Sequence, residues 1–284
     1  GMRLSALMVP AAESLAEVLA QTEADATRFR EMGAREVTVT GNVKFDVTPG
    51  EHLLALGQFW KEASRGRSIV LMASSREGEE AGLLESWKRA ATQWPESDRA
   101  AFPRLWIVPR HPQRFDEVAQ LVTQAGWTVS RRSAWGNAGP DAQAQRADVW
   151  LGDSIGEMPA YYAAADVALL GGSFQPLGGQ NLIEAAACGC PVVMGPSTFN
   201  FALAAELSER AGAAVRVQDW SAGVSEAIGF CEPLRRAVGR TAAFSFSESH
   251  KGAAERSAHI IWQWVDRWSS QREHKRSARG NPLR

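Results

Sequence analysis

The residues best suited to chemistry in this chain lie in a glycine-rich run, Gly171-Gly172-Ser173-Phe174-Gln175-Pro176-Leu177-Gly178-Gly179-Gln180-Asn181-Leu182-Ile183-Glu184. It follows an apolar run, Val167-Leu170, and opens a helical pattern. Four glycines let a backbone approach a ligand closely. A helix start offers free N–H groups and a positive dipole end to an anion. Glu184 falls about one turn into that helix, where an acid can accept hydrogen bonds from ribose hydroxyls, with Asn181 on the same side. Gly172, Ser173, Gly178, Gly179, Asn181 and Glu184 are therefore candidate ligand contacts. The alternative is a turn whose glycines only pack helix on sheet.

Four other segments follow apolar runs in the same way. Arg110 and His111 stand between Pro109 and Pro112. A guanidinium is a fixed, always-charged fork suited to phosphate or carboxylate; His111 alone reads equally as a polar loop residue. Gly152-Asp153-Ser154-Ile155-Gly156-Glu157-Met158 could read the edge of a base with its backbone, or be a plain strand-to-helix turn. Ser74, Ser75 and Glu79 lie in a loop where the serines could cap a helix and the acids suit its first turn; a ligand role for them is secondary. Lys44, in Gly41-Asp46, faces an anion or is a solvated surface lysine. The sequence has no Asp-x-Asp pair and no Ser/His/Asp or zinc-ligand spacing, so no metal site is expected.

The elements that must position these residues can be read from the pattern. Strand candidates fall at Val37-Thr40, Ile69-Ala73, Leu105-Val108, Trp127-Ser130, Val149-Leu151, Val167-Leu170, Val192-Met194 and Ala213-Val217, and most are near-continuous apolar runs, which suit strands covered on both faces. Helical patterns alternate with them, at 49–63 (Thr48 capping, Pro49 first), 78–93, 112–125, 159–165, 181–188, 200–211 and 221–230. The alternation predicts an α/β fold, a Rossmann-like parallel sheet with helices on both faces. Ligands then bind beyond the carboxyl ends of the strands. Two segments stand apart: an amphipathic helix over 11–32, and His259-Trp268, with Trp262, Trp264 and Trp268. That tryptophan load suits burial in the helix's own core, a partner domain or a membrane interface.

The 284 residues carry a net charge of −1, which gives no sign of a nucleic-acid partner. From Arg267 onward six Lys/Arg face one acid, Glu273, a solvated tail or a segment drawn to anionic lipid. Three cysteines in a chain of this kind point to a reducing compartment, with Cys188 read as a buried small residue. No run has the length and apolarity of a transmembrane helix, no signal peptide is visible, and Gly1 before Met2 reads as a tag scar.

In order and spacing, Gly41-Asp46, Ser74-Glu80, Val108-Phe115, Gly152-Met158, Gly171-Glu184 and Met194-Phe201 (MGPSTFNF) together resemble the 3-deoxy-D-manno-octulosonic acid (Kdo) transferase family, over roughly residues 20–250. The resemblance implies the C-terminal, donor-binding half of a two-domain GT-B glycosyltransferase. It implies an inverting, metal-independent, cofactor-free transfer of Kdo from CMP-Kdo to a lipid A precursor, in lipopolysaccharide biosynthesis at the cytoplasmic face of the inner membrane. By position, Arg110 and the Gly178-Gly179 helix start would hold phosphate, with Asn181 beside it. Glu184 would bind ribose and Gly152 to Met158 would frame cytosine. The two-acid ribose motif of related enzymes does not apply, since Pro176 stands eight residues before Glu184. The expected organisation is 1–46 as the end of an acceptor domain, 47–250 as the CMP-Kdo-binding domain, 251–269 as a crossover helix and 270–284 as a basic disordered tail. The family's catalytic base lies in the acceptor half, so this chain is expected to bind donor without transferring sugar, as a soluble fragment. The competing readings are a nucleotide- or anion-binding module acting through a partner, and a scaffold whose glycine loops are structural.

Overall fold

The computed structural model describes residues 2–136 and 139–279 and divides into two compact units, residues 1–46 with 250–284, and residues 47–249. In the smaller unit the chain runs α1 (Met2–Glu13), β1 (Val18–Ala20), α2 (Glu23–Glu31) and β2 (Val37–Val39). The two strands pair in parallel, Val18 opposite Val37. This corrects the single helix expected over 11–32. Thr22 ends β1's exit and caps α2, its hydroxyl accepting from the Asp25 amide at 3.1 Å. Val18 and Ala20 are buried, and Val18 packs with Ala12 and Ala34, so three residues suffice for a strand.

The larger unit runs α3 (Glu51–Ala63), β3 (Ile69–Ser75), α4 (Glu79–Gln93), β4 (Arg104–Pro109), α5 (Phe115–Gln124), β5 (Val129–Arg131), α6 (Ala142–Arg146), β6 (Val149–Leu151), α7 (Met158–Ala164), β7 (Val167–Leu170), α8 (Ile183–Ala187), β8 (Val192–Met194), α9 (Ala202–Arg210), β9 (Ala214–Arg216) and α10 (Trp220–Gly229). Its sheet is wholly parallel, in the order β5-β6-β4-β3-β7-β8-β9. This is the expected Rossmann-like α/β fold. The helix α3 starts at Glu51 with Gly50 at its cap and no side-chain capping bond, so Thr48 and Pro49 lie outside it. The helix α6 was not anticipated. Asp141 starts it by accepting from the Gln143 and Ala144 amides.

The inner strands β3, β4, β6, β7 and β8 are buried on both faces, as their apolar runs require, while the edge strands β5 and β9 are only partly buried. One face joins Val70, Met72, Leu105 and Ile107 to Leu83 and Trp87 of α4, Val118 and Val122 of α5, and Val224 and Ala227 of α10. The other carries aromatic rings: Trp106 lies 4.9 Å from Trp150, 5.0 Å from Tyr161 and 5.3 Å from Trp60, centroid to centroid. Arg104 is buried with them, its guanidinium 4.1 Å over the Trp150 ring. Its Nη2 donates to the Gln145 carbonyl while Nε and Nη1 meet no acceptor among the described residues. Burial, with Arg67 nearby, depresses its pKa to about 9.

After β9 the chain is helical, in α10, α11 (Pro233–His250) and α12 (Ala253–Arg279). The sequence reading missed α11, although Glu232 accepts from the Leu234 and Arg235 amides at its start. The helix α12 belongs to the smaller unit. Asp46 accepts from the Gly252 and Ala254 amides at its N-terminus, Arg256 donates to the Thr40 carbonyl, and the Trp264 indole donates to Glu17. The helix expected over 251–269, with a disordered tail over 270–284, is a single helix from Ala253 to Arg279; residues 280–284 of the expected tail lie outside the described residues. Ile261, Trp262, Val265 and Trp268 are exposed. Among the described residues no helix is long and apolar enough to cross a membrane.

Candidate functional site

Because every strand of the large sheet points the same way, the loops after β3, β4, β6, β7 and β8 share its carboxyl edge. The strand order reverses beside β3, with β4 on one side and β7 on the other, which makes the loops after β3 and β7 the centre of a topological switch point. All the candidate contacts except Lys44 lie on this edge. Lys44 belongs to the other unit, in a 3-10 turn over Val43–Phe45 whose Asn42 carboxamide accepts from the Lys44 amide.

The glycine loop touches β3 directly. Gly171 donates to the Ala73 carbonyl at 2.9 Å, and a Cβ on Gly171 would stand 2.1 Å from the Ser74 carbonyl oxygen. Only glycine allows that approach. Gly178 and Gly179 follow with φ of 83° and 73°, a left-handed pair that other residues rarely adopt. The loop after β8 braces the glycines: Ser197 Oγ accepts from the Gly178 amide at 3.0 Å, and Asn200 donates its amide to the Gly178 carbonyl at 3.0 Å. Buried Ser173 donates to the Leu170 carbonyl at 2.6 Å and accepts from the Gly195 amide at 2.8 Å, so its hydroxyl is a structural tie. Gly172 gives its amide to Glu79 at 2.8 Å. Asn181 lies two residues before α8 rather than on it, and its side-chain oxygen accepts from the Ile183 amide at 3.0 Å.

Glu184 differs from these. It lies in the first turn of α8, half-buried, and its carboxylate has no hydrogen-bond or ion-pair partner among the described residues. Burial alone pushes its pKa up. A partly desolvated carboxylate with unused lone pairs accepts readily from neutral hydroxyl donors.

Two cations on the same edge are also unengaged. The side chains of Arg76, after β3, and Arg110, after β4, make no hydrogen bond or ion pair among the described residues, and Arg110 is exposed. His111 is exposed and begins the 3-10 turn Pro112–Arg114. Ser74 holds φ of 58°, a conformation rare outside glycine and asparagine, with its hydroxyl 4.0 Å from Met158 Sδ. Neither serine caps α4; Gly78 occupies that position, and Ser75 Oγ donates to Glu80 at 2.7 Å.

After β6, Gly152 fits between Val108 and the Tyr161 ring, at 2.6 Å and 2.9 Å from a Cβ built on it. Asp153 is buried. Burial raises its pKa, but the Ser133 hydroxyl and amide and the Arg131 guanidinium outweigh this and hold it below the usual carboxylate range. Ser154 donates to Glu157 and lies 2.5 Å from the Tyr161 hydroxyl, and Glu157 pairs with Arg132. The side chains of Asp153 and Ser154 are thus spent inside the protein. What this loop offers outward is its backbone, the turn at Gly156 (φ 84°) and exposed Ile155, with Met158 starting α7.

This fold and loop set can be placed among known proteins. A family model described as "3-Deoxy-D-manno-octulosonic-acid transferase (kdotransferase)" matches residues 1–47. A curated 3-deoxy-D-manno-octulosonic acid transferase of Bordetella pertussis is 46% identical over 255 residues, 88% of this chain and 57% of that protein. The chain belongs to the Kdo transferase family. A Haemophilus influenzae transferase of the same name is 34% identical over 65% of the chain and 41% of its own length, so the chain spans about half the length of the curated relatives it matches. Among solved structures, the C-terminal CMP-Kdo binding domain of WaaA from Acinetobacter baumannii is 28% identical, with a TM-score of 0.58 over 72% of this chain and 98% of that one. Anabaena HepE in complex with UDP shares the fold at 18% identity, with a TM-score of 0.51 over 94% of this chain and 68% of that one.

Within this member of the family, sequence reasoning missed Arg76, Glu80 and Arg114. Arg76 had the same signal as Arg110, an arginine directly beyond a strand end, but it was passed over for the serines before it. Glu80 and Arg114 carried no local signal, since 33 residues separate a helix-start acid from a loop arginine that meet only in the fold.

Proposed function

We propose that this chain is the donor-binding part of a Kdo transferase and that the carboxyl edge of its large sheet takes CMP-Kdo. The observation that carries the reading is Glu184, a half-buried carboxylate without a partner among the described residues, on the same edge as the unengaged guanidiniums of Arg76 and Arg110. A nucleoside monophosphate sugar has the matching groups: ribose hydroxyls for Glu184, a phosphate and a sugar carboxylate for the cations and the Gly178-Gly179 amides, and a base edge for the backbone of 152–158. The similarity to the CMP-Kdo binding domain from Acinetobacter and to the Bordetella Kdo transferase supports the same ligand and sugar.

In the whole protein the transfer inverts the anomeric centre. A hydroxyl of the lipid A precursor attacks it, a base takes the hydroxyl proton, and CMP leaves with the bonding pair on its phosphate oxygen. The base is an acid of the acceptor half. CMP carries one phosphate, which two arginines and backbone amides can neutralise without a metal. The whole enzyme works at the cytoplasmic face of the inner membrane, in lipopolysaccharide synthesis, and this chain alone binds donor without transferring sugar.

Calorimetric titration of CMP into the wild-type chain and into Glu184→Ala tests the site. Loss of a charged ribose contact should weaken binding by about 1.5–3 kcal/mol. Equal affinity in a folded Glu184→Ala chain would remove Glu184, and the donor site with it, from this edge.

A further inference from the structure

We infer that Glu79 and Glu80, the first two residues of α4, are positioning residues that hold three loops of the proposed donor site in one arrangement. The inference rests on the donor-site reading of this edge. Acids at a helix start are usually solvated, where they favour the dipole without any desolvation cost. Here both are fully buried. Burying adjacent carboxylates is expensive unless each is well bonded, so their bonds show what the cost supports.

Glu79 accepts from three amides. Its Oε2 takes the Arg76 amide at 2.8 Å and the Gly172 amide at 2.8 Å, and its Oε1 takes the Phe174 amide at 3.2 Å. The first is in its own turn; the other two lie in the glycine loop, more than 90 residues on. Glu80 takes both arms of Arg114, at 2.6 Å and 3.2 Å, and the Ser75 hydroxyl at 2.7 Å. Arg114 lies in the loop that carries Arg110, and the Arg110 amide donates to the Ser75 carbonyl at 3.0 Å. Both unengaged guanidiniums are therefore fixed at their backbones by the acid pair: Arg76 through Glu79, and Arg110 through Ser75 and Arg114 to Glu80. The same pair fixes the start of the glycine loop. Burial and the neighbouring Glu80 raise the pKa of Glu79 against the three amide bonds. The arrangement is a two-residue pin between the loops after β3, β4 and β7, touching no ligand itself.

The test is Glu79→Gln in the full chain. Glutamine keeps the shape but turns one acceptor into a donor facing an N–H. CMP affinity is measured by calorimetry, and amide hydrogen exchange at Gly172 and Phe174 by NMR, at a temperature where circular dichroism shows the variant folded. Losing one bond to a charged acceptor should raise the CMP Kd at least about tenfold, and exchange at Phe174 should quicken by a similar factor. Faster exchange with unchanged CMP affinity would mean a tie that serves folding only, and would overturn the inference. If the wild-type chain binds no CMP, the donor reading fails; exchange in Glu79→Gln then decides the pin by itself, unchanged rates overturning it. Should Glu79→Gln not fold, Arg114→Lys, which keeps the charge and loses the two-armed bond, is read by CMP affinity and by exchange at Arg110, with an unchanged result in either overturning the pin.

Discussion

Replacing Gly171 with alanine should destabilise the sheet unit by about 3 kcal/mol, the upper part of the usual range for overpacking. The added Cβ would lie 2.1 Å from the Ser74 carbonyl oxygen and 2.5 Å from that of Ala73. Both are backbone atoms of a central strand, so no side-chain rotation relieves the clash. Either β3 or the glycine loop must shift, and their shared edge is where the donor site is proposed. Nucleotide affinity should therefore fall along with stability. Gly136→Ala is the matched control, since a Cβ there meets nothing within 4 Å among the described residues and its φ is not positive. Urea unfolding followed by far-UV circular dichroism should show a lower midpoint for Gly171→Ala and an unchanged one for Gly136→Ala.

Trp106→Ala should cost about 3–5 kcal/mol, the largest loss expected from any aromatic of the sheet. Trp106 is fully buried at the centre of the aromatic face, within 5.5 Å of the rings of Trp60, Trp135, Trp150 and Tyr161. Deleting it opens a cavity that four large neighbours cannot fill together. Its indole N–H meets no acceptor among the described residues. Trp106→Phe discards that unmet donor and keeps most of the ring, so it should cost less than about 1.5 kcal/mol. The same urea experiment separates them; equal losses for alanine and phenylalanine would mean the ring packing is not what holds this face.

The inner strands of the large sheet were legible because burial on both faces leaves a clear mark, runs such as Ile69-Val70-Leu71-Met72-Ala73 with no polar residue. β1 was not legible, because Val18-Leu19-Ala20 is too short to break the helical look of its flanks; Thr22 with an acid three residues on was the overlooked capping signal. Disorder was expected after residue 270 from charge alone, yet Arg, Lys, Gln and Ala are sound helix formers, and the first strong breakers are Gly280 and Pro282. At the site, the glycines, Arg110 and Glu184 could be picked out from residue type and place. The engagements of Ser173 and Asp153 could not, since their partners Gly195 and Ser133 meet them only through the crossovers; that of Ser154 is local, to Glu157 and Tyr161, but depends on how the turn into α7 folds. Residue type nominated them as ligand contacts; the fold assigns them to bracing the loops.

The most direct test of the account is selectivity among nucleoside monophosphates. CMP, UMP and GMP are titrated in turn into the purified chain by calorimetry. Cytosine and uracil differ in their hydrogen-bonding edge, which the backbone of 152–158 is proposed to read. The account predicts binding of CMP with UMP and GMP each weaker, by about tenfold or more for a mismatched buried hydrogen bond. Equal binding of all three, or none, would contradict it.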